Sequence, residues 1–361
     1  MIAISPLRKL APCLLMLAAM PGLGGCAIGY YWQAGAGHLK IVNGQQPVVT
    51  VLRDPGLEPS VRARLQVSQR ALAFAHDTLR LPDNGSYTGY YDTGEPYAVW
   101  NVFAAPELSL KPRTWCFPVA GCISYRGYFS ERSARRYADQ LAARGDDVFV
   151  GGITAYSTLG RFRDPVLNTM LAQPEQDLIG LLFHELAHQR LYVQDDSAFN
   201  EAFATAVEME GLRRWRIENS QLVSVDDNGQ RTAVQRLLRD GRRQLSAVYA
   251  SDRDPDAKRR AKQEVLADLA ASYDALLVEW RLAGLKQQPY AHLFRQGLNN
   301  ASLAALATYD DYVPAFGELL RQCGAWLACF YVRAETLAAM ARPERTARLQ
   351  ELVRIAAGRK K

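Results

Sequence analysis

Two imidazoles and a carboxylate stand together at His184-Glu185-Leu186-Ala187-His188. Residues four apart lie one above the other on a helix, so His184 and His188 can reach one metal ion from the same face. Nitrogen ligands with a fixed helical bite suit a single Zn²⁺. Glu185 is the next residue round, placed to hold the metal's water and to act as general base. The chain has five histidines, so two at this spacing around a glutamate are an improbable accident. The bland alternative is a core histidine pair hydrogen-bonded to carboxylates, but burying such groups is costly without an ion to satisfy them.

A catalytic zinc needs a third protein ligand and one open position. The extended pattern with Gly at 191 and His or Asp at 194 is absent, because Leu191 and Gln194 stand there. Glu201, in Phe199-Asn200-Glu201-Ala202-Phe203-Ala204, is the preferred third ligand. Glu208 shares a helix face with it through Thr205, and Asp195 or Asp196 in the connecting turn come after. Those two aspartates also suit the N-terminus of the following helix. A developing oxyanion needs a further donor. Tyr156 is taken for that role, with Tyr309, Tyr312 and His292 as alternatives; each has core packing as its competing explanation. An acidic anchor for a substrate amine would come from Glu208, Glu210 or Glu175.

The elements that must position these groups follow from periodicity. Apolar residues recur at helical spacing from Ser60 to Leu81, and Pro82-Asp83-Asn84-Gly85 ends the run. Residues 86–128 hold strand-forming aromatics and valines broken by Gly and Pro, read as short antiparallel strands. Ser130 caps a helix over 131–144. Residues 147–156 read as a strand whose glycines, Gly151 and Gly152, would let a peptide backbone approach. Beyond Pro174 the pattern is helical: 175–193, 198–219, and an antiparallel pair at 229–250 and 255–284. The expected fold is α+β and predominantly helical, with a small antiparallel sheet and long C-terminal helices. It divides into a mixed part (60–173) and a helical part (174–361).

The N-terminus reads as an address. Arg8 and Lys9 precede an apolar run from Leu10 to Met20, too short to span a bilayer but of signal-peptide length. Leu23-Gly24-Gly25-Cys26 resembles a bacterial lipoprotein box, making 1–25 a signal peptide and Cys26 the acylated residue. Ala27 favours the outer over the inner membrane, so the expectation is a lipid-anchored protein on the periplasmic side of a bacterial envelope. Residues 26–59 read as an extended segment, on the strength of Gly29, Gly35, Gly37 and Gly44.

The remaining thiols agree with export. Cys116 and Cys122, and Cys323 and Cys329, form two pairs of identical spacing. An even number in an oxidising compartment reads as disulfides. Local pairing is simplest for Cys116 with Cys122; pairing between the two regions is the alternative.

Over 361 residues, 48% are hydrophobic and 22% charged, which excludes a disordered or fibrous chain. The formal charge of +6 is a mild excess with no concentrated basic block, so nucleic acid is not an expected partner. The cations of 235–262 are interleaved with acids and read as a solvated helix face. Nothing in the sequence sets an oligomeric state.

The stretch from His184 to Gln189, followed by Asn200-Glu201-Ala202-Phe203-Ala204, resembles the gluzincin metallopeptidases, whose aminopeptidase branch carries a similar HELAHQ and a later NEGFA. The interval between them is shorter here than in that branch. The resemblance implies His184, His188 and Glu201 as ligands, Glu185 as base, and a zincin-like core. More of the chain is similar to a proteobacterial family of putative aminopeptidases. The matching stretches are Tyr125–Phe129, Gly152–Leu171, the two helices bearing the motif, and Asn299-Asn300-Ala301 through Val313-Pro314-Ala315-Phe316. The resemblance implies a zinc-dependent aminopeptidase hydrolysing peptides through a metal-held water activated by Glu185. Rival readings are an envelope lipoprotein with a structural zinc, and a zinc hydrolase of cell-wall peptides.

Overall fold

Helices make up most of the chain, and every strand of the described residues lies before residue 168. The computed structural model describes residues 25–117, 121–220, 225–285, 288–310 and 312–358. The expected signal peptide falls almost wholly outside them. The N-terminal half runs α1 (Gly25–Gly44), β1 (Gln46–Pro47), α2 (Val48–Val51), α3 (Pro59–Asp77), β2 (Gly89–Tyr91) and β3 (Val99–Pro106). It continues through β4 (Trp115–Phe117), β5 (Gly121–Ile123), β6 (Arg126–Tyr128), α4 (Glu131–Ala142), β7 (Asp146–Ile153), β8 (Val166–Leu167) and α5 (Asn168–Leu171). Helices follow: α6 (Glu175–Arg190), α7 (Ser197–Glu218), α8 (Val225–Ala250), α9 (Pro255–Leu282), α10 (Ala291–Gln296) and α11 (Asn300–Asp310). The last three are α12 (Val313–Gln322), α13 (Leu327–Ala339) and α14 (Arg342–Gly358).

The largest core joins α3, α5, α6, α7 and the C-terminal helices around Leu65, Leu72, Leu178, Leu182, Phe183, Phe203, Phe316 and Phe330. Burying these apolar side chains together is the main stabilising term. The antiparallel sheet β6-β3-β7 sits beside it, between helices. Side chains alternate along β3, so Val102 and Ala104 pack on Ala134, Ala138 and Leu141 of α4. On the other face Phe103 joins Phe149 against Leu293, Ala301 and Ala305. Asn299 and Asn300 tie α11 to this sheet: Asn299 Nδ2 donates to Val148 O (2.8 Å) and Asn300 N to Asp147 Oδ2 (2.8 Å). Helices α8 and α9 form an antiparallel pair with its own core of Val234, Leu238, Leu245, Tyr273 and Trp280.

Three expectations are corrected. Residues 26–44 are helical rather than extended. Glycine lowers helix propensity, but tertiary contacts override it here. The Phe129 ring lies where a side chain at Gly37 would be, and the Tyr91 ring does the same at Gly44. The strands of 86–128 are not all antiparallel, since β2 runs parallel to β8. A parallel pair needs a long crossover, and the β3–β7 sheet with α4 fills it. The strand expected over 147–156 ends at Ile153, and the Tyr97 ring occupies the space over Gly152.

Both cysteine pairs are local: Cys116 and Cys122 join β4 to β5, and Cys323 and Cys329 span the turn from α12 into α13. The basic run divides by element. On α9, Lys262 Nζ reaches Asp147 (2.7 Å) and Arg259 reaches Glu107 (2.9 Å). On α8, Arg236, Arg239, Arg242 and Arg243 line an open groove.

Candidate metal centre

The motif lies in the last two turns of α6. Leu178, Ile179, Leu182, Phe183, Leu186 and Ala187 bury the apolar side of that helix. Close packing of α6 on α7 is possible because each offers a glycine at the crossing. A side chain at Gly180 would press on Glu208 and Leu212, and one at Gly211 on Phe183 and Leu79.

The connection between the helices is pinned at three points. Asn200 Oδ1 accepts from Val193 N (2.7 Å) while its Nδ2 donates to Val193 O (2.8 Å). Asp196 caps α7 by accepting from Phe199 N (3.2 Å) and pairs with buried Arg345 (2.8 Å). Asp195 accepts from Cys122 N (2.6 Å), holding the disulfide-closed hairpin β4–β5 against this connection. Both aspartates considered as metal ligands are therefore engaged elsewhere.

So held, α7 swings Glu201 over α6. His184 Nε2 lies 3.2 Å from Glu201 Oε2 and 3.1 Å from His188 Nε2, and His188 Nε2 lies 3.6 Å from Glu201 Oε2. These three residues form a group able to hold a metal ion. Ligands 2.0–2.1 Å from a tetrahedral zinc are about 3.3 Å apart, so the triangle has the right edge lengths. Its chemistry fits as well. Glu208 Oε2 sits 3.1 Å from His184 Nδ1, which favours a proton there and leaves the Nε2 lone pair facing inward. His184 and His188 are buried, and His188 Nδ1 has no partner among the described residues. Two imidazole nitrogens and a carboxylate oxygen converging in a buried place offer a cation three ligand atoms.

The local electrostatics say the same. Burial works against a charged His184, but Glu201 and Glu208 on its two nitrogens outweigh it and raise its pKa. Burial likewise disfavours the Glu201 carboxylate, yet His188 and His184 pull its pKa down to about 2. Glu185 is half-buried and makes no hydrogen bond or ion pair among the described residues.

The other nominated residues have positions and partners of their own. The Tyr156 hydroxyl meets His38 Nδ1 of α1 at 2.9 Å, and its ring packs on Phe129. His292 is exposed on α10, the Tyr309 side chain is outside the described residues, and Tyr312 packs at the edge of the main core. Glu210 is paired with Arg213 and Arg214. Exposed Glu175 opens α6, about 13 Å along the axis from His184.

Two residues that feel the charges of the site's carboxylates were not singled out from the sequence. Tyr125 precedes β6 with its phenol pushed up first by burial, then by the charges of Glu201, Tyr192 and Glu185. Asp164 is buried; it accepts from Thr158 N (3.0 Å) and Thr158 Oγ1 (2.7 Å) and lies in the field of Glu185. Both belong to stretches that carry the family resemblance, Tyr125–Phe129 and Gly152–Leu171, which was the available signal.

A family model described as "Putative aminopeptidase" matches residues 29–349. No curated protein matches the chain, and no solved structure does.

Proposed function

This chain belongs to the putative aminopeptidase family, and from that premise we propose that it is a zinc-dependent aminopeptidase. The family name supports, at the coarse level, a hydrolase acting on peptides. The zinc assignment is carried by one observation: His184 Nε2, His188 Nε2 and Glu201 Oε2 converge within 3.1–3.6 Å beside the unpaired carboxylate of Glu185.

His184, His188 and Glu201 would hold the ion, and Glu208 would orient His184 from behind. A zinc ion there supplies a Lewis acid that polarises a peptide carbonyl and acidifies water. Glu185 accepts the proton of the attacking water and returns it to the leaving amine. Tyr125 stays a neutral phenol because burial and the neighbouring carboxylates oppose its ionisation. A neutral O–H can donate to the carbonyl oxygen as negative charge develops there. An unpaired Glu185 favours catalysis over a structural zinc, which has no use for a base.

The reading extends to location. Cys26 carries the lipid, and the protein is held on the periplasmic side of a bacterial envelope, at the outer membrane. The two cysteine pairs suit that oxidising compartment.

The test is metal analysis of the purified protein beside hydrolysis of aminoacyl amides, free and N-acetylated. One zinc per chain and cleavage of free-amine substrates alone are expected, with Glu185→Gln keeping zinc and losing activity by roughly 10²–10⁴. Unchanged turnover in Glu185→Gln overturns the mechanism. Equal cleavage of acetylated substrates overturns the aminopeptidase assignment.

A further inference from the structure

The two sides of α1 are of different character. Its inner side is docked firmly. The Tyr30 ring meets Tyr128 (5.5 Å) and Phe117 (5.8 Å) and lies under the Arg126 guanidinium at 4.0 Å. Gln33 Oε1 accepts from Phe129 N (3.1 Å), His38 Nδ1 meets the Tyr156 hydroxyl, and Ile41 is buried.

The outer side presents Tyr31 (51% exposed), Trp32 (79%) and Leu39 (57%) to solvent, with Gly29, Gly35 and Ala36 among them. Trp32, Ala36 and Leu39 recur at helical spacing, so they share one face. Lys40 is its cation, and no acid occurs anywhere in the helix.

We propose that this outer face of α1 lies flat in the headgroup region of an anionic lipid bilayer, fixing the orientation of the peptidase at the membrane. The face has the chemistry of that region: amphipathic Trp and Tyr rings, an aliphatic side chain, and a lysine that suits anionic headgroups. It carries no carboxylate to be repelled. No helix of the described residues is long and apolar enough to cross a membrane, so the contact is interfacial. Position supplies the second argument. Cys26 lies in the first turn of α1, which puts Trp32 about 9 Å and Leu39 about 20 Å along the axis from the expected lipid. A lipid held at Cys26 would keep the first turn of α1 at the bilayer surface, which brings the neighbouring outer face against the headgroups. The proposal rests on the lipid-anchor reading for that tether, and the experiment separates the two.

The protein is expressed with its own signal in a bacterial host, purified, and reconstituted into phosphatidylethanolamine–phosphatidylglycerol vesicles containing brominated lipid. Bromine quenches tryptophans that enter the acyl boundary, and mass spectrometry of the N-terminal peptide reports acylation. Shallow quenching in the native protein, reduced at least threefold in Trp32→Phe, is the expected result; exposed Trp326 remains as an internal control. Acylation with no Trp32-dependent quenching keeps the anchor and overturns the proposal. Trp32-dependent quenching without acylation keeps the proposal and removes the anchor. Trp32-dependent self-association without quenching assigns the face to a second copy of the chain and overturns it too.

Discussion

Glu208 and His184 are joined at 3.1 Å through Nδ1, on the side of the imidazole opposite to Glu201. The two glutamates that share one face of α7 therefore have different roles. Glu201→Ala should abolish zinc binding. Glu208→Ala should keep one zinc but weaken its affinity by roughly 10–100-fold, the usual effect of losing an outer partner. Competition with a chelator reads both. Full zinc in Glu201→Ala with loss in Glu208→Ala would reverse the assignment.

The two tyrosines can be told apart by kinetics. Tyr125 lies in the field of both Glu185 and Glu201, whereas Tyr156 is bonded to His38. Tyr125→Phe is expected to lower kcat by roughly 10²-fold with zinc retained. Tyr156→Phe should leave kcat nearly unchanged and cost about 1 kcal/mol of stability. A large kcat loss confined to Tyr156→Phe would return the oxyanion role to that residue.

Asp164 should leave a signature in stability against pH. Burial first, then the charge of Glu185, raises its pKa to about 6, against the pull of its bonds from Thr158. An acid raised in this way binds more protons folded than unfolded. Its favourable term is complete below about pH 4 and is lost as pH climbs through 6. Urea melts of wild type and Asp164→Asn should diverge over that interval, the variant gaining on the order of 2 kcal/mol relative to wild type by pH 7. Parallel curves would show that Asp164 is not held in this state.

Gly121 closes the hairpin that touches the α6–α7 connection. Its φ is +72°, and a side chain there would collide with Asp195 and Gln194. Gly121→Ala should lower stability by about 1–3 kcal/mol, visible as a drop in Tm. An unchanged Tm would mean that the hairpin is not pressed against Asp195.

Local pattern was enough for several conclusions. The imidazoles of His184 and His188 share a face because helical pitch alone puts them there. The apolar run before them made α6 a buried helix, and Ser130 caps α4 through its own side chain. These depend on residues a few positions apart, where spacing is geometry.

Tertiary structure decided the rest. Glu201 and Glu208 stand two turns apart on the same side of α7, so periodicity could not rank them. Only the crossing at Gly180 and Gly211 and the pinned connection at Asn200 put one on His184 Nε2 and the other on Nδ1. Tyr125 and Tyr156 are alike in sequence terms, and their separation depends on β7 ending at Ile153 and on α1 offering His38. The helix α1 itself was hidden by its glycines, two of which, Gly37 and Gly44, make room for the rings of Phe129 and Tyr91, distant in the chain. Contacts of that range leave no periodic trace, because each is made between elements whose relative placement only the packed core determines.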